Sequence, residues 1–421
     1  METSRKWIAG IIVLVVVDLL IVAAFAYLLL KEDEEEEIHE MAMIGIDGSD
    51  LATSELVDHG SGTASDPYVI TGLDVEIIEA TYSMDTYGIM VSGVNDHLII
   101  SGSRIHVDYV NPGRQIIGVG VWSSTNVTIL DCKFENLTTG MKISHSVVNI
   151  SYNTIESCRV GVGIERLEYR SVDPGMLISN NSFYNTDYCV TTYGNWGGLT
   201  WSGVTISNNS MAYYQRGVGV YGGGHNFTIV GNYFYDGTGF AIDVSKMSES
   251  TIAQNRMYGH SSDGGGVVIW DSWDIQVEGN SIETNGPAVC IEWSNDIEIS
   301  NNFIDSYTGS SAPTQFGVLV ENSISINVTY NEIKDRTVGV MILSSGTGNS
   351  TVWVHHNEFM WNFVQALDNS GSENHWDDGM SAGNYWDDYD GPDSNHDEIG
   401  DSPYLIDNDS WDNFPLVVRP I

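Results

Sequence analysis

Three short clusters of acidic and aromatic residues stand at matching distances ahead of a recurring asparagine. Trp270, Glu292 and Glu321 lie ten residues before Asn280, Asn302 and Asn331, and Asp271, Trp293 and Asn322 lie nine before. Asp274 and Asp296 lie six before the first two of those asparagines. If the asparagines are equivalent points of successive repeats, the clusters stack on one another. Two carboxyl groups beside a broad indole surface are what glycoside hydrolysis needs, one as acid and the other as base or nucleophile. Asp271, Asp274, Glu292 and Asp296 are therefore the candidate catalytic residues, and Trp270, Trp293 and Glu321 the candidate glycan contacts. The same residue types suit the solvated turns of an acidic protein. Glycan contact without cleavage is the leading expectation, with polysaccharide hydrolysis or lysis as the alternative. Lysis usually needs a basic side chain, and the chain has only 16 Lys and Arg. Lys246, three residues after Asp243, is the one suggestive case, and it reads equally as a turn ion pair.

A second constellation is Asp393-x-Asn395-x-Asp397-x-Ile399-x-Asp401. Oxygen ligands at alternate positions are how a flexible loop wraps a hard cation, with the Ile399 carbonyl as a main-chain ligand. Calcium is the expected ion, in a structural role. Glu398 stands where such loops favour Gly, and Tyr404 stands where a bidentate Glu would close them. An acidic solvated turn is the competing account.

The elements that position these residues follow from the repeat itself. Its clearest copies read Ile178-Ser179-Asn180-Asn181-Ser182-Phe183, Ile206-Ser207-Asn208-Asn209-Ser210-Met211 and Ile299-Ser300-Asn301-Asn302-Phe303-Ile304. From Asn153 through Asn181, Asn209, Asn232, Asn255, Asn280, Asn302 and Asn331 to Asn357 the steps are 28, 28, 23, 23, 25, 22, 29 and 26 residues. Ser103 and Cys132 fill the slot in two earlier copies, and Asn384 extends the series. Upstream runs such as Gly118-Val119-Gly120-Val121 and Gly217-Val218-Gly219-Val220 alternate with period two, the mark of half-buried strands. Two or three short strands in so short a period make one coil of a solenoid. The fold class is all-β: a right-handed single-stranded parallel β-helix of about ten to twelve coils, its hand set by the preference of parallel crossovers. The recurring Asn is expected to tolerate a left-handed bend and to bond along the axis as a ladder of amides.

Residues 1–7 read as a cytoplasmic start and 8–30 as an apolar transmembrane helix, long enough to span a bilayer. Residues 31–66 read as an acidic stalk and approach to the first coil, 67–373 as the β-helix repeats, and 374–421 as an aromatic, acidic cap. Arg5 and Lys6 ahead of the apolar run and six acidic residues after it (32–37) place the bulk of the chain outside the cytoplasm. A cleavable signal peptide is the alternative, because Ala24-Phe25-Ala26 resembles a cleavage site. The formal net charge of −41 repels nucleic acid and other polyanions. Polysaccharide and other envelope proteins remain as expected partners. Sequons at Asn126, Asn136, Asn149, Asn226, Asn327 and Asn349 are candidate glycosylation sites on an exported chain. Four cysteines show no zinc spacing, and a Cys158–Cys189 bridge is conceivable in an oxidising compartment.

The end of the chain carries a more specific pattern. Gly383-Asn384-Tyr385-Trp386-Asp387-Asp388-Tyr389-Asp390-Gly391, the Asp393–Asp401 run and Asp412-Asn413-Phe414-Pro415-Leu416 together resemble the ending of the NosD-type right-handed β-helix family. That resemblance implies a carbohydrate-binding or sugar-hydrolase solenoid, of a kind common on archaeal cell surfaces. The namesake of the family is linked to copper, for which this chain is poorly equipped. His355 and His356 are adjacent on a strand and are expected to point to opposite faces.

Overall fold

The computed structural model describes residues 41–419, apart from 79–84, 109–114, 166–174, 194–200, 261–263, 308–315, 345–350 and 371–373. Each repeat contributes one strand to each of three parallel sheets, and every strand pairs with its counterpart one coil away. The first sheet stacks thirteen strands, from Met41–Asp47 through Ile116–Trp122 and Arg216–Val220 to Val364–Asn369. The second has fourteen and the third thirteen. Met41–Asp47, within the segment expected as stalk and entry to the first coil, pairs into the first sheet. Among the described residues no helix is long and apolar enough to cross a membrane. The expected span at residues 8–30 lies outside them.

Period-two alternation fills the core with stacked identical positions. Ile100, Ile129, Ile150, Ile178 and Ile206 follow one another in register along the second sheet and are fully buried. Phe134, Ile155, Phe183, Met211 and Phe234 do the same in the third. Each row buries apolar area against the coils on both sides, so no coil is stable alone.

The asparagine ladder exists and is continuous from Asn153 to Asn384. In each coil the backbone N–H and the Nδ2 of the Asn both donate to Oδ1 of the next, as in Asn153 to Asn181 at 2.9 and 3.0 Å. Nδ2 also donates to a strand carbonyl beneath it, for Asn153 that of Ile129 at 2.9 Å. Cys132 and Ser103 continue the slot, Cys132 N–H reaching Asn153 and Ser103 Oγ taking the N–H of Leu73. One detail of the expectation is corrected. The left-handed bend falls on the residue before the ladder Asn, at Asn180, Asn208 and Asn301, and elsewhere at Tyr152, Tyr330 and His356. The ladder Asn keeps ordinary backbone angles because its side chain must aim along the axis.

All four cysteines are free and buried, so Cys158 and Cys189 form no bridge. Burial pushes the thiols of Cys132 and Cys158 up to about 11 and about 12.

The cap closes the open apolar section with stacked rings. Trp386 lies against Phe359 at 4.4 Å and Tyr404 against Trp386 at 4.3 Å between ring centroids. Asp412 terminates the ladder beneath them. Its carboxylate accepts the N–H of Asn384 at 2.7 Å, the indole N–H of Trp386 at 2.9 Å and the N–H of Phe414 at 2.9 Å. Burial pushes this carboxyl up from 3.8 to about 7 against the pull of those donors. The folded cap therefore favours the neutral acid. Stability from this group is fully present below about pH 4 and is lost as pH rises through about 7. The cap is expected to melt at lower temperature at pH 8 than at pH 5, followed by Trp fluorescence. Asp412→Asn should flatten that dependence, and an unchanged wild-type to variant difference across this range would refute the assignment.

Candidate functional site

The outward positions of the first sheet form rows along the coil axis. One row runs Gly120, Lys142, Gly163, Thr191, Gly219, Asp243. A parallel row holds Trp122, Ser144, Glu165 and Tyr193, and resumes with Ser245, Trp270, Glu292 and Glu321. The glycines matter because rings lie over them: a Cβ on Gly163 would sit 2.6 Å from the Tyr193 ring, and one on Gly219 2.6 Å from that of Tyr221. The Gly-Val-Gly-Val strands thus leave flat shelves on which tyrosines settle.

Charged side chains are gathered between the shelves. Lys142 Nζ lies 3.0 Å from Asp85 and 3.4 Å from Glu165, and 5.7 Å from the Trp122 ring centroid. Burial alone would lower Lys142, yet Glu165 and Asp85 hold it above its ordinary value. Ser144 Oγ donates to Glu165 at 3.2 Å. Two coils on, Arg216 lies 2.7 Å from Asp243, and the Tyr221 hydroxyl donates to the same carboxylate at 3.0 Å. Burial raises Asp243 despite Arg216. Burial, followed by Glu165, pushes the Tyr193 hydroxyl up to about 12. On the same face opens a cavity of about 430 Å³ lined by Gln115, Thr139, Arg159, Tyr188, Tyr193 and Tyr221. A second, of about 360 Å³, continues from Tyr188 to Arg216 and Phe240. Amide, hydroxyl and guanidinium groups thus line the first cavity beside its rings. Sugar hydroxyls, which donate and accept together, are the natural complement.

The clusters read from sequence are also brought together, further along the same face. Trp270, Glu292 and Glu321 are directly in register. Asp271, Trp293 and Asn322 follow them with positive φ of 47°, 52° and 50°, and Asp274 and Asp296 share φ of 55°. Trp270 is 43% and Trp293 56% exposed. Burial, then Glu321, raises Glu292. The Asp243–Lys246 pairing is corrected: Asp243 pairs with Arg216, and Lys246 lies 3.9 Å from Asp271.

Sequence reasoning missed Lys142, Glu165, Tyr193, Arg216 and Tyr221. The signal available was the second glycine of each Gly-x-Gly strand, which marks an outward position left open for a neighbouring ring.

The acidic loop shows an internal explanation of its shape. Asp393 accepts the backbone N–H groups of His396, Asp397 and Glu398, Asp397 that of Ile399, and Asp401 that of Ser394. Asn395 Nδ2 donates to Asp397 at 2.8 Å. Among the described residues no group of three or more His, Cys, Asp or Glu is arranged to hold a metal ion. Calcium is thus not needed to account for the fold of this loop.

The two histidines also differ from expectation. Their Nδ1 atoms lie 2.7 Å apart, because His356 takes the left-handed bend (φ 59°) that ends the strand Val352–His355. Strand alternation stops at that residue. Asn126, Asn136, Asn149, Asn226 and Asn327 are all exposed, while Asn349 lies outside the described residues.

Two family models match the chain: a right handed beta helix region over residues 216–378, and a periplasmic copper-binding protein (NosD) over 63–205. Both support a right-handed parallel β-helix fold, each over less than half of the chain. The copper of the second description does not fit the residues present. Among the described residues the cysteines are separate buried thiols, and the close pair His355–His356 lies outside the matched segment with no third His, Cys, Asp or Glu gathered at it. No curated protein matches the sequence. Among solved structures, a variant of the periplasmic alginate epimerase AlgG is similar at 12% identity over 80% of this chain and 84% of that one, with a TM-score of 0.53. The A-module of the Azotobacter vinelandii mannuronan C-5 epimerase AlgE4 aligns at 14% identity over 72% and 89%, with a TM-score of 0.48. A family 28 exopolygalacturonase of Yersinia enterocolitica aligns at 11% identity over 58% and 47%, with a TM-score of 0.37. These likenesses are of fold.

Proposed function

We propose that this protein binds polysaccharide along the outer face of its first sheet, outside the cytoplasm and held to the membrane by residues 8–30. The observation that carries the reading is the cavity between the Tyr193 and Tyr221 shelves, lined also by Gln115, Thr139 and Arg159, on the sheet face that carries the Lys142–Glu165 and Arg216–Asp243 pairs. Rings supply stacking surface for sugar C–H faces, and Arg159, Gln115 and Thr139 supply directed hydrogen bonds. Cavity and Trp270 share one face, so a single chain can reach both. Adhesion to, or organisation of, an envelope glycan is the role that such a track serves, and glycosylation of the exposed sequons suits the same location.

Glu165 and Asp243 do not form a hydrolytic pair. They lie three coils apart, about 14 Å of rise, beyond the ~9.5 Å that inverting hydrolysis spans. Glu292 and Glu321 differ: they are in register on adjacent coils, about 4.8 Å apart along the axis, beside Trp270. That pair keeps a glycoside hydrolase as the second reading. Release of reducing ends that Glu292→Gln abolishes, with binding retained, would establish it.

For the binding function, the full chain is tested against a panel of neutral and uronic acid polysaccharides. Tyr193→Ala with Tyr221→Ala is expected to weaken the bound polymer at least tenfold, about 1.4 kcal/mol. Binding to no member of the panel, or equal binding of every member by the variant, would sink the proposal.

A further inference from the structure

The third sheet carries on its outer face a feature the first-sheet site does not use. Strands Ser182–Tyr184, Ser210–Ala212, Tyr233–Tyr235 and Arg256–His260 stack in parallel, with Tyr184, Ala212, Tyr235 and Tyr258 in register. Tyr213 follows Ala212 at a left-handed turn. Ring centroids are 5.2 Å apart for Tyr184–Tyr213, 5.8 Å for Tyr213–Tyr235 and 6.4 Å for Tyr233–Tyr235. They are 6.0 Å apart for Tyr235–Tyr258 and 4.9 Å for Tyr258–Tyr307. Six rings thus touch without a break, and four of them, Tyr184, Tyr213, Tyr235 and Tyr258, lie on successive coils, about 14 Å of rise. The inward positions of these strands are filled by Phe183, Met211, Phe234 and Met257, all buried. The tyrosines therefore do nothing for the core, and Tyr184, Tyr213 and Tyr233 are 48, 45 and 39% exposed.

The charge around the ribbon says what it can hold. On one side the sheet surface is a network of ion pairs, Arg104–Glu135 and Lys133–Glu135, both at 2.6 Å. On the other, Lys334 pairs with Glu332 at 3.2 Å and with Asp305 at 3.6 Å. Between them, the four stacked strands carry one Lys or Arg, Arg256, 6.0 Å from the Tyr233 ring, and no Asp or Glu. The charges that border the ribbon are carboxylates: Asp236 follows Tyr235 and raises its hydroxyl, Glu156 stands in register with Tyr184 and Glu283 with Tyr258. The chain as a whole carries a net charge of −41. That charge repels a polyanion, and it repels a second copy of this chain. A polymer without charge meets neither penalty.

We propose that the tyrosine ribbon is a second glycan site, taking an uncharged polysaccharide laid along the coil axis. The C–H faces of successive sugars rest on the rings, and their hydroxyls reach the tyrosine and serine oxygens. Because the ribbon and the first-sheet cavity are on different sheets, one molecule can hold two glycan strands at once and join them.

The test uses the full chain in detergent with dextran, a soluble β-1,3-glucan and glucomannan as uncharged probes, and alginate and polygalacturonate as charged ones. At least one uncharged polymer is expected to bind, and Tyr213→Ser with Tyr235→Ser should weaken it tenfold or more at unchanged melting temperature. Tyr213→Phe with Tyr235→Phe should keep most of the affinity, since the rings remain. Tyr193→Ala with Tyr221→Ala should leave this binding in place, which separates failure here from failure of the first-sheet proposal. No uncharged polymer bound, or equal binding by the serine variant, overturns the inference. So does a change of sedimentation from dimer to monomer in that variant, which would make the ribbon a contact between copies.

Discussion

Arg336→Met is expected to cost about 3–5 kcal/mol, because it takes four hydrogen bonds from buried carbonyls and an unsatisfied buried acceptor costs ~1–3 kcal/mol. Arg336 is 1% exposed and donates to four main-chain carbonyls: Thr284 at 2.7 Å, Phe316 at 2.9 Å, Asp305 at 3.0 Å and Gly286. Burial lowers its guanidinium to about 10, opposed by Asp305, so it stays charged at neutral pH. Methionine fills the volume and removes the guanidinium from all four carbonyls, of which Phe316 keeps the Ala288 N–H and Gly286 the Thr284 hydroxyl. Arg336→Lys should fall between the two, because an ammonium has three protons and no planar fork. Urea unfolding and hydrogen exchange over residues 284–316 report the effect, with local opening preceding global loss in a solenoid. A cost below about 1 kcal/mol would show that the clamp is not what holds these turns together.

The second large effect lies in the ladder. Asn302 Nδ2 donates to Val277 at 2.9 Å, Ser300 at 3.0 Å and Asn331 at 2.9 Å, while its Oδ1 accepts the N–H and Nδ2 of Asn280 at 2.9 Å each. Asn302→Ala orphans donors above and acceptors below, and at ~1–3 kcal/mol for each buried unsatisfied group the loss should reach about 3 kcal/mol or more. Asn302→Ser should be milder, since a hydroxyl in this slot already serves the Leu73 N–H through Ser103 at 3.2 Å. Equal costs for Ala and Ser would mean that lost packing, not the amide chain, sets the penalty.

Much of the candidate face was legible in outline. The spacing to the ladder placed Trp270, Glu292 and Glu321 above one another, and register confirms it. It could not show that each ends its strand at a left-handed residue, because backbone φ at Asp271 and Trp293 is a local choice that Asp and Trp do not announce. The cavity itself was not legible. Lys142 and Asp85 are 57 residues apart, and Tyr221 and Asp243 are 22 apart. Nothing in either local stretch marks its partner.

Sequence by itself determined the solenoid, the buried ladder and the face on which each strand residue lies. Those depend on periodicity, and a side chain one position along a strand must point the other way. Tertiary structure alone decided which outward side chains meet. Spacing between equivalent positions varies from 22 to 29 residues, because turns between strands differ in length. Lateral neighbours are thus fixed only once the coils are stacked, when backbone hydrogen bonds set the register. It also decided what breaks the alternation: His356, placed by a left-handed bend against His355, and Arg336, drawn inward to carbonyls that three different coils present.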